Sequence, residues 1–473
     1  MRNAFTFTAK WSAVCIGSAL LAQTAVASGY HFGTQSVSSQ STANASAAEA
    51  ESPATIFYNP AGLVYLPGFQ FSGNLNLIAP SVKYSNAKGY YPTAPRTIQG
   101  ESSGKITKSL IAVPHMYASY QINDRWTAGL GIYVPFASET EYSENSVLRY
   151  NVNQTKLTSF DINPTIAFKI NQRHAVGVGL IAQYSSAELR QYANWAPFAR
   201  RANGTLDGVA NVSGSDWGFG YNVGWLWDVS DNVRVGANYR SKISHKLKGT
   251  AEWSLADGVN PALATNLPAI RRAGYVARED STLDIVTPES LSLHGMWKVN
   301  PQWNLFGDVT WTRHSRFNTL NLQYANTKTV ANGNPPPRTA QSNATIMKPN
   351  WRDTFKVAWG ASYQLSQPLQ LRFGMAYDQS PVRDADSRMT TMPDNDRIWL
   401  SGGLKYDLSK NSSINAGYSY VHVKSASANV NGWCGSTAAS GAGAVNCVSS
   451  RTNGSADFKS RVHIVGLAYN YRF

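Results

Sequence analysis

From about residue 110 onward, apolar residues recur at every second position. Leu369, Leu371, Phe373, Met375 and Tyr377 alternate with Gln370, Arg372, Gly374, Ala376 and Asp378. Val233, Val235, Ala237 and Tyr239 alternate with Arg234, Gly236, Asn238 and Arg240. A sustained period of two makes strands with one apolar face and one polar or small face. The connections decide between a soluble sandwich and a membrane barrel. Alternate connections are very short and polar: Asn123-Asp124, Asn171-Gln172, Ser230-Asp231, Asn300-Pro301, Ser366-Gln367-Pro368 and Ser409-Lys410-Asn411. The others are long, over roughly 81–109, 137–154, 191–211, 251–280, 318–350, 381–394 and 426–456. Short turns at one end and long loops at the other mark an outer-membrane barrel. The fold class is therefore all-β, a transmembrane antiparallel β-barrel of about fourteen strands. The predicted strands lie near 68–80, 110–122, 125–136, 155–170, 173–190, 212–229, 231–250, 281–299, 302–317, 351–365, 368–380, 396–408, 412–425 and 457–473.

Composition removes the competing classes. Aromatic residues make up 12% of the chain, too many for a solvating, disordered polymer. After the N-terminus no apolar run approaches the roughly 18 residues of a membrane helix. Trp126, Trp225, Trp227, Trp297, Trp303, Trp311, Trp351 and Trp399 fall near predicted strand ends, where interface girdles belong. Val465, Leu467, Tyr469, Tyr471 and Phe473 share one face of a terminal strand ending in Phe, the signal expected by the barrel assembly machinery. The net charge is +14, but the bases are scattered and no nucleic-acid motif is present. Anionic lipid or anionic small molecules are the better partners.

Residues 1–27 read as a signal peptide. Arg2 and Lys10 precede a short apolar stretch, Trp11 to Ala22, and Ala25-Val26-Ala27 is an A-x-A cleavage pattern. Cys434 and Cys447 remain, in a Gly/Ala/Ser-rich stretch of an exported chain. One loop-closing disulfide is expected; two free thiols are the alternative, and no ligand cluster suggests a metal. Residues 28–66 do not follow the barrel rhythm. They are small and polar from Ser36 to Ala50, then apolar at Ile56-Phe57-Tyr58. A barrel of this size has a lumen too wide for side chains alone to fill. The segment is a plug inside the barrel or a periplasmic tail, leaving residues 67–473 as the barrel.

The stretch Thr55-Ile56-Phe57-Tyr58-Asn59-Pro60-Ala61-Gly62 resembles the hatch motif of the FadL family of outer-membrane long-chain fatty acid transporters. Gly129-Leu-Gly-Ile-Tyr-Val-Pro135-Phe136, Asn163-Pro164 with Gly177 to Tyr184, Tyr239-Arg240-Ser241, Trp351-Arg-Asp-Thr354, Tyr377 to Pro381 and Pro393 to Leu400 are similar to family segments in order. The resemblance covers almost the whole mature chain. It implies an N-terminal hatch plugging the lumen and passive uptake of long-chain fatty acids. Ligand is captured between long loops, held in an internal pocket, and released sideways through a gap in the wall. By resemblance, Asn59, Pro60 and Ala61 pack against that gap. Gly129, Gly131 and Pro135 sit in the strand that borders it, since glycine weakens a ladder and proline cannot donate to one. The plain alternative is that Pro135 ends its strand.

Ligand contacts expected by resemblance are Tyr30, or Phe32 if cleavage shifts, and the cation Arg190. The loops near 191–211 and 251–280 carry Trp195, Phe198, Leu255, Leu263, Leu267 and Ile270 for the outer groove. A carboxylate needs a cation in an otherwise apolar pocket, and Arg240, Lys242 and Arg372 are equally plausible chemically. His314 stands in a part of the chain where the family often has tryptophan. Partners expected are a long-chain fatty acid or other hydrophobic small molecule, outer-membrane lipid and lipopolysaccharide, and the assembly machinery, with a monomer implied. No cofactor is called for. Three rival functions remain. One is uptake of aromatic or alkane hydrocarbons, which needs no carboxylate partner. Another is an aqueous porin. The last is a barrel-embedded lipid-modifying enzyme, disfavoured because the histidines are scattered and no Gly-x-Ser-x-Gly signature occurs.

Overall fold

The computed structural model describes residues 31–91, 94–196, 201–255, 267–332, 338–432, 448 and 452–473. The expected signal peptide, Tyr30, Phe198, Cys434 and Cys447 lie outside them. In chain order the strands are β1 Phe69–Tyr90, β2 Gly104–Lys105, β3 Ile111–Gln121, β4 Trp126–Tyr133, β5 Ala137–Glu141, β6 Gln154–Lys169, β7 His174–Asn194, β8 Asp207–Asp228, β9 Val233–Arg240 and β10 Ile243–Leu255. There follow β11 Arg278–Thr287, β12 Ser290–Lys298, β13 Trp303–Thr312, β14 Leu320–Asn332, β15 Arg338–Met347, β16 Thr354–Ser366, β17 Leu369–Asp378, β18 Arg397–Asp407, β19 Ser412–Asn431 and β20 Asn453–Arg472. β4 with β5, β9 with β10, β11 with β12, β13 with β14 and β15 with β16 each make one broken stave of the wall. β2 is a short addition beside the outer end of β1. Fourteen antiparallel staves result among the described residues. β1 closes the barrel on β20, from Gln70 opposite Arg472 to Tyr90 opposite Asn453.

Closure is what a bilayer demands, because unpaired backbone groups find no water there. The lipid face carries the predicted alternation: Leu75, Leu180, Phe219, Leu293, Leu400 and Leu467 are exposed, while their neighbours turn inward. Trp126, Trp225, Trp297 and Trp303 join that outer surface. Two of the expected girdle tryptophans do not. Trp399 is 3% exposed because it shares the lumenal face with Arg397, two residues before it. Trp351 is 1% exposed and packs on Phe317 with ring centroids 4.4 Å apart, between β15 and β16.

The wall also extends further than the alternation indicates. Asn194 still pairs with Asp207, and Asn431 with Asn453, inside segments expected to be loops. Much of the outer loop sequence is thus continued ladder. Both of its faces are mixed, so it leaves little period-two signal.

The hatch occupies the lumen. Its helix α1 spans Val37–Gln40, capped by Ser36, whose hydroxyl accepts from the Ser39 amide. Helix α2 spans Thr55–Tyr58, and a 3-10 turn follows over Pro60–Tyr65. Small residues from Thr34 to Ala48 are buried nearly throughout. They fit because the facing wall positions are glycines. A Cβ at Gly374 would lie 2.1 Å from the Thr42 carbonyl carbon, and one at Gly466 would lie 2.2 Å from Gln40 Oε1. Wall side chains complete the seat. Val37 N–H donates to Asn74 Oδ1 at 3.0 Å, and Asn76 donates to Gln40 Oε1 at 2.7 Å.

One charge clamp anchors the middle of the hatch. Arg372, 1% exposed, donates to Glu49 at 2.8 and 2.9 Å and to Glu51 at 2.5 Å, while Lys405 reaches Glu51 at 3.0 Å. Burial alone would raise Glu51, but Arg372 and Lys405 outweigh it and hold the carboxyl at about 2. Burial and the neighbouring Glu51 charge raise Glu49. A carboxyl held below its ordinary 4.5 stabilises the docked hatch above that pH. That contribution drains away as pH falls from 4.5 toward 2. Thermal unfolding midpoints should therefore drop across that window. Arg372→Met takes the arginine from Glu49 and leaves Glu51 to Lys405, and breaking such a buried pair costs about 3–5 kcal/mol. It should lower the midpoint at pH 7 and move the acid-sensitive window above 4.5. An unchanged pH profile would contradict the clamp.

Candidate ligand cavity and wall seam

Between hatch and upper wall lies a partly open cavity. The hatch provides His31, Asn44, Ala47, Phe57 and Tyr58. Strands β9, β12, β13, β16, β17 and β18 contribute inward side chains, because period two brings alternate residues of each stave to the lumen. Among them are Arg240, Asp308, Lys356, Asp378 and Trp399, and His314 closes the upper side.

The charges differ in how far they are already matched. Arg240 meets Asp161, which is fully buried, and donates to Tyr133 Oη at 2.8 Å. Asp308 accepts from Ser292 and Thr310, each at 2.6 Å. Asp378 lies 3.6 Å from Arg397. Lys356 has no carboxylate within 4.0 Å among the described residues, although Asp308 and Asp378 line the same cavity. Its ammonium sits 4.6 Å from the Trp399 ring centroid. Burial, with Arg240, Lys356 and Arg397 nearby, lowers His31 to about 3, so its imidazole is neutral at physiological pH.

The wall is interrupted beside this cavity. β4 pairs with β3 only as far as Ile132 opposite Met116. β5 continues the stave along β6 but shares no ladder with β3 among the described residues. The break spans Val134-Pro135-Phe136, and Pro114 lies on the stretch of β3 that is laddered to β1 but, among the described residues, not to β4 or β5. The hatch covers the seam from inside. Phe32 N–H donates to the Pro135 carbonyl at 2.7 Å, and the Gln35 amide donates to the Val134 carbonyl at 2.8 Å. Phe32 is 1% exposed and stacks on His115 of β3 at 5.9 Å. Next to it, His31 bridges Phe136.

Several sequence expectations meet different surroundings. Asn59 does not face this seam. Its amide donates to the Trp225 and Ala237 carbonyls at 3.0 and 3.2 Å and lies 2.9 Å from His294 Nε2. The Asn59-Pro60-Ala61 turn is drawn there because Gly177 and Gly224 leave room for it. A Cβ at Gly224 would come 2.0 Å from Asn59 Oδ1. Gly129 and Gly131 lie in regular ladder and make space for Ile56 of the hatch; the break itself is at Pro135. Arg190 sits on the outer part of β7, bonded to Glu141 at 2.6 Å and to Asn153 at 2.6 Å, away from the cavity lining. Trp195 is buried with Leu206 and Ile270, edge-on to Tyr275 at 4.8 Å. Lys356 was missed, although its place between outward Phe355 and Val357 marks it as lumenal. Gly224→Ala should unseat the Asn59 turn and raise single-channel ion conductance in planar bilayers. A closed channel of unaltered stability would overturn that role for the glycine.

The family model described as outer membrane protein transport protein (OMPP1/FadL/TodX) matches residues 18–473. The chain is 48% identical over 480 residues to a putative outer membrane protein of Neisseria meningitidis serogroup B, covering 98% of each. It is 26% identical over 443 residues to the long-chain fatty acid transport protein of Escherichia coli K12, covering 88% of this chain and 93% of that one. A crystal structure of a Pseudomonas aeruginosa FadL homologue superposes with a TM-score of 0.80 at 21% identity, covering 94% of this chain and all of the other. The Ralstonia pickettii toluene transporter TbuX superposes at 0.61 with 17% identity, over 93% and 98%. Closed barrel, lumenal hatch and near full-length match agree: the chain belongs to the FadL/TodX family of transport proteins of the Gram-negative outer membrane.

Proposed function

We propose that this barrel takes up long-chain fatty acids passively. Cargo enters between the outer loops, rests in the lumenal cavity and leaves sideways through the β3–β5 seam. The observation that carries the carboxylate specificity is Lys356. The other lumenal cations considered, Arg240 and Arg372, are committed to Asp161 and to Glu49 with Glu51. Lys356 is left facing the cavity over Trp399. An ammonium over an aromatic face is a ready partner for a carboxylate, while Phe57 and Tyr58 offer apolar surface to the chain. The relatives named for fatty acid transport support this reading. The structural likeness to toluene transporters supports the alternative, a hydrocarbon cargo that needs no cation.

Release asks little of the fold. Among the described residues, the Phe32 and Gln35 bonds, the Phe32 ring and the His31 bridge to Phe136 close the seam from the hatch side. The gradient supplies direction, so no energy source is required. Uptake of labelled oleate and of toluene, in cells lacking their own transporters, distinguishes the cargoes. Removing a hydrogen bond to a charged group costs about 1.5–3 kcal/mol, or roughly 10–100-fold in affinity. Lys356→Met should therefore cut oleate uptake at least tenfold at low concentration. Oleate uptake unaltered by Lys356→Met would remove the carboxylate site. Toluene uptake without oleate uptake would move the function to hydrocarbons.

A further inference from the structure

The outward face of the wall carries a second charge pattern, unrelated to the lumen. Lys83 on β1 stands directly opposite Lys459 on β20, and on its other side directly opposite Lys105 on β2. One step inward, Arg461 faces Ser81 on one side and His422 of β19 on the other. All five basic side chains are exposed. They share the outer face with Leu75, Val465 and Leu467, because outward residues recur at every second position of β1 and β20. Directly opposed like charges destabilise a ladder, with Cβ atoms about 4.5–5.5 Å apart. None of Lys83, Lys105, Lys459 and Arg461 meets a carboxylate within 4.0 Å among the described residues. Asp457, two residues beyond Lys459, is occupied by Asn86 at 2.9 Å and Ser427 at 2.7 Å. The wall elsewhere is built differently: on β10, Lys246 stands opposite Asp284 and its amide donates to Asp216.

Height on the barrel identifies what neutralises the patch. Phe69 and Phe473 pack at 4.9 Å at the inner end, beside the short turns. With a rise of about 3.3 Å per residue and a tilt of about 40°, Lys83 stands roughly 35 Å above Phe69. The apolar band of such barrels is about 25 Å tall. Arg461 lies about two residues nearer to it, just above the ring contacts of His463 with Tyr418 and Tyr420. The patch therefore sits at the headgroup level of the outer leaflet. Lipid chains can lie below it on Val465 and Leu467.

We infer that this face of β19, β20, β1 and β2 binds the phosphorylated headgroup of an outer-leaflet glycolipid, whatever cargo the channel carries. Phosphate oxygens neutralise the three opposed lysines and Arg461, and acyl chains cover the apolar strand face beneath. The test is native mass spectrometry of the detergent-purified barrel. Its probes are bisphosphorylated lipid A, its monophosphoryl form, and inorganic phosphate as competitor. The wild type should retain the bisphosphorylated lipid at least tenfold better than the monophosphoryl form. A tenfold excess of phosphate should not displace it. The triple variant Lys83→Gln/Lys459→Gln/Arg461→Gln should lose at least tenfold in retention while Lys246→Gln/Lys248→Gln does not. Heat-dependent gel mobility reports folding. If the triple variant misfolds, Lys105→Gln, in the two-residue strand outside the main ladder, should show the same loss in smaller measure. Equal retention by wild type and a folded patch variant would overturn the proposal. So would displacement by inorganic phosphate, which would make the site one for a free anion.

Discussion

A bilayer offers no hydrogen-bond partner to a peptide group, and the architecture follows from meeting that demand. β1 closes on β20 along almost its whole length, so the sheet has no free edge to lipid at the point of closure. The closed wall leaves a wide lumen, and the lumen needs a plug. At the one interruption between β3 and β5 described above, the plug also serves the backbone. The carbonyls of Val134 and Pro135 receive Gln35 and Phe32 of the hatch. The same segment thus fills the lumen and completes the wall where the ladder stops. On the lateral route proposed above, the hatch N-terminus is the segment that has to move to connect cavity and membrane.

Charge follows a matching logic. A lumenal arginine out of water is tolerated only when partnered. Arg372 and Arg240 are matched by carboxylates from the hatch and from β6. These pairs hold the hatch and stiffen the cavity. They also withdraw most of the lumen's positive charge from cargo. Lys356 stands out against that background, and the opposed lysines outside the wall stand out in the same way. In both places, among the described residues, a cation without a carboxylate within 4.0 Å faces a space that the proposals above assign to cargo or to lipid.

The alternation around Leu369–Asp378 was enough to read strands, orientation and the outward apolar face, because period two is imposed by lipid on one side only. The Asn59-Pro60-Ala61 motif pointed to a hatch. Its actual contacts with β8, β9 and β12 were not legible, since they join residues 166 to 235 positions apart. The lumenal glycines Gly224 and Gly374 look in sequence like weak points of a strand; they are the contact surface for the hatch. Trp399 was assigned to a girdle from its position near a strand end. Counting the period from Arg397 places it in the lumen. Pro114 and Lys356 carried readable signals, a proline inside a strand and a cation between two outward apolar residues. Ladder beyond the bilayer, as at Asn194 opposite Asp207, left no such mark.

The most direct test is to lock the seam. Val113 of β3 and Ala137 of β5 belong to the apolar cluster that contains Phe32. Cysteines at both positions are treated with a short thiol-specific crosslinker in the folded barrel, and the linked fraction is read by mass spectrometry. Labelled oleate should then still bind to the purified protein, while uptake by cells stops when the linker is in place and continues with either single cysteine. Full uptake through a crosslinked seam would contradict the account, because the cargo would have to leave by another route.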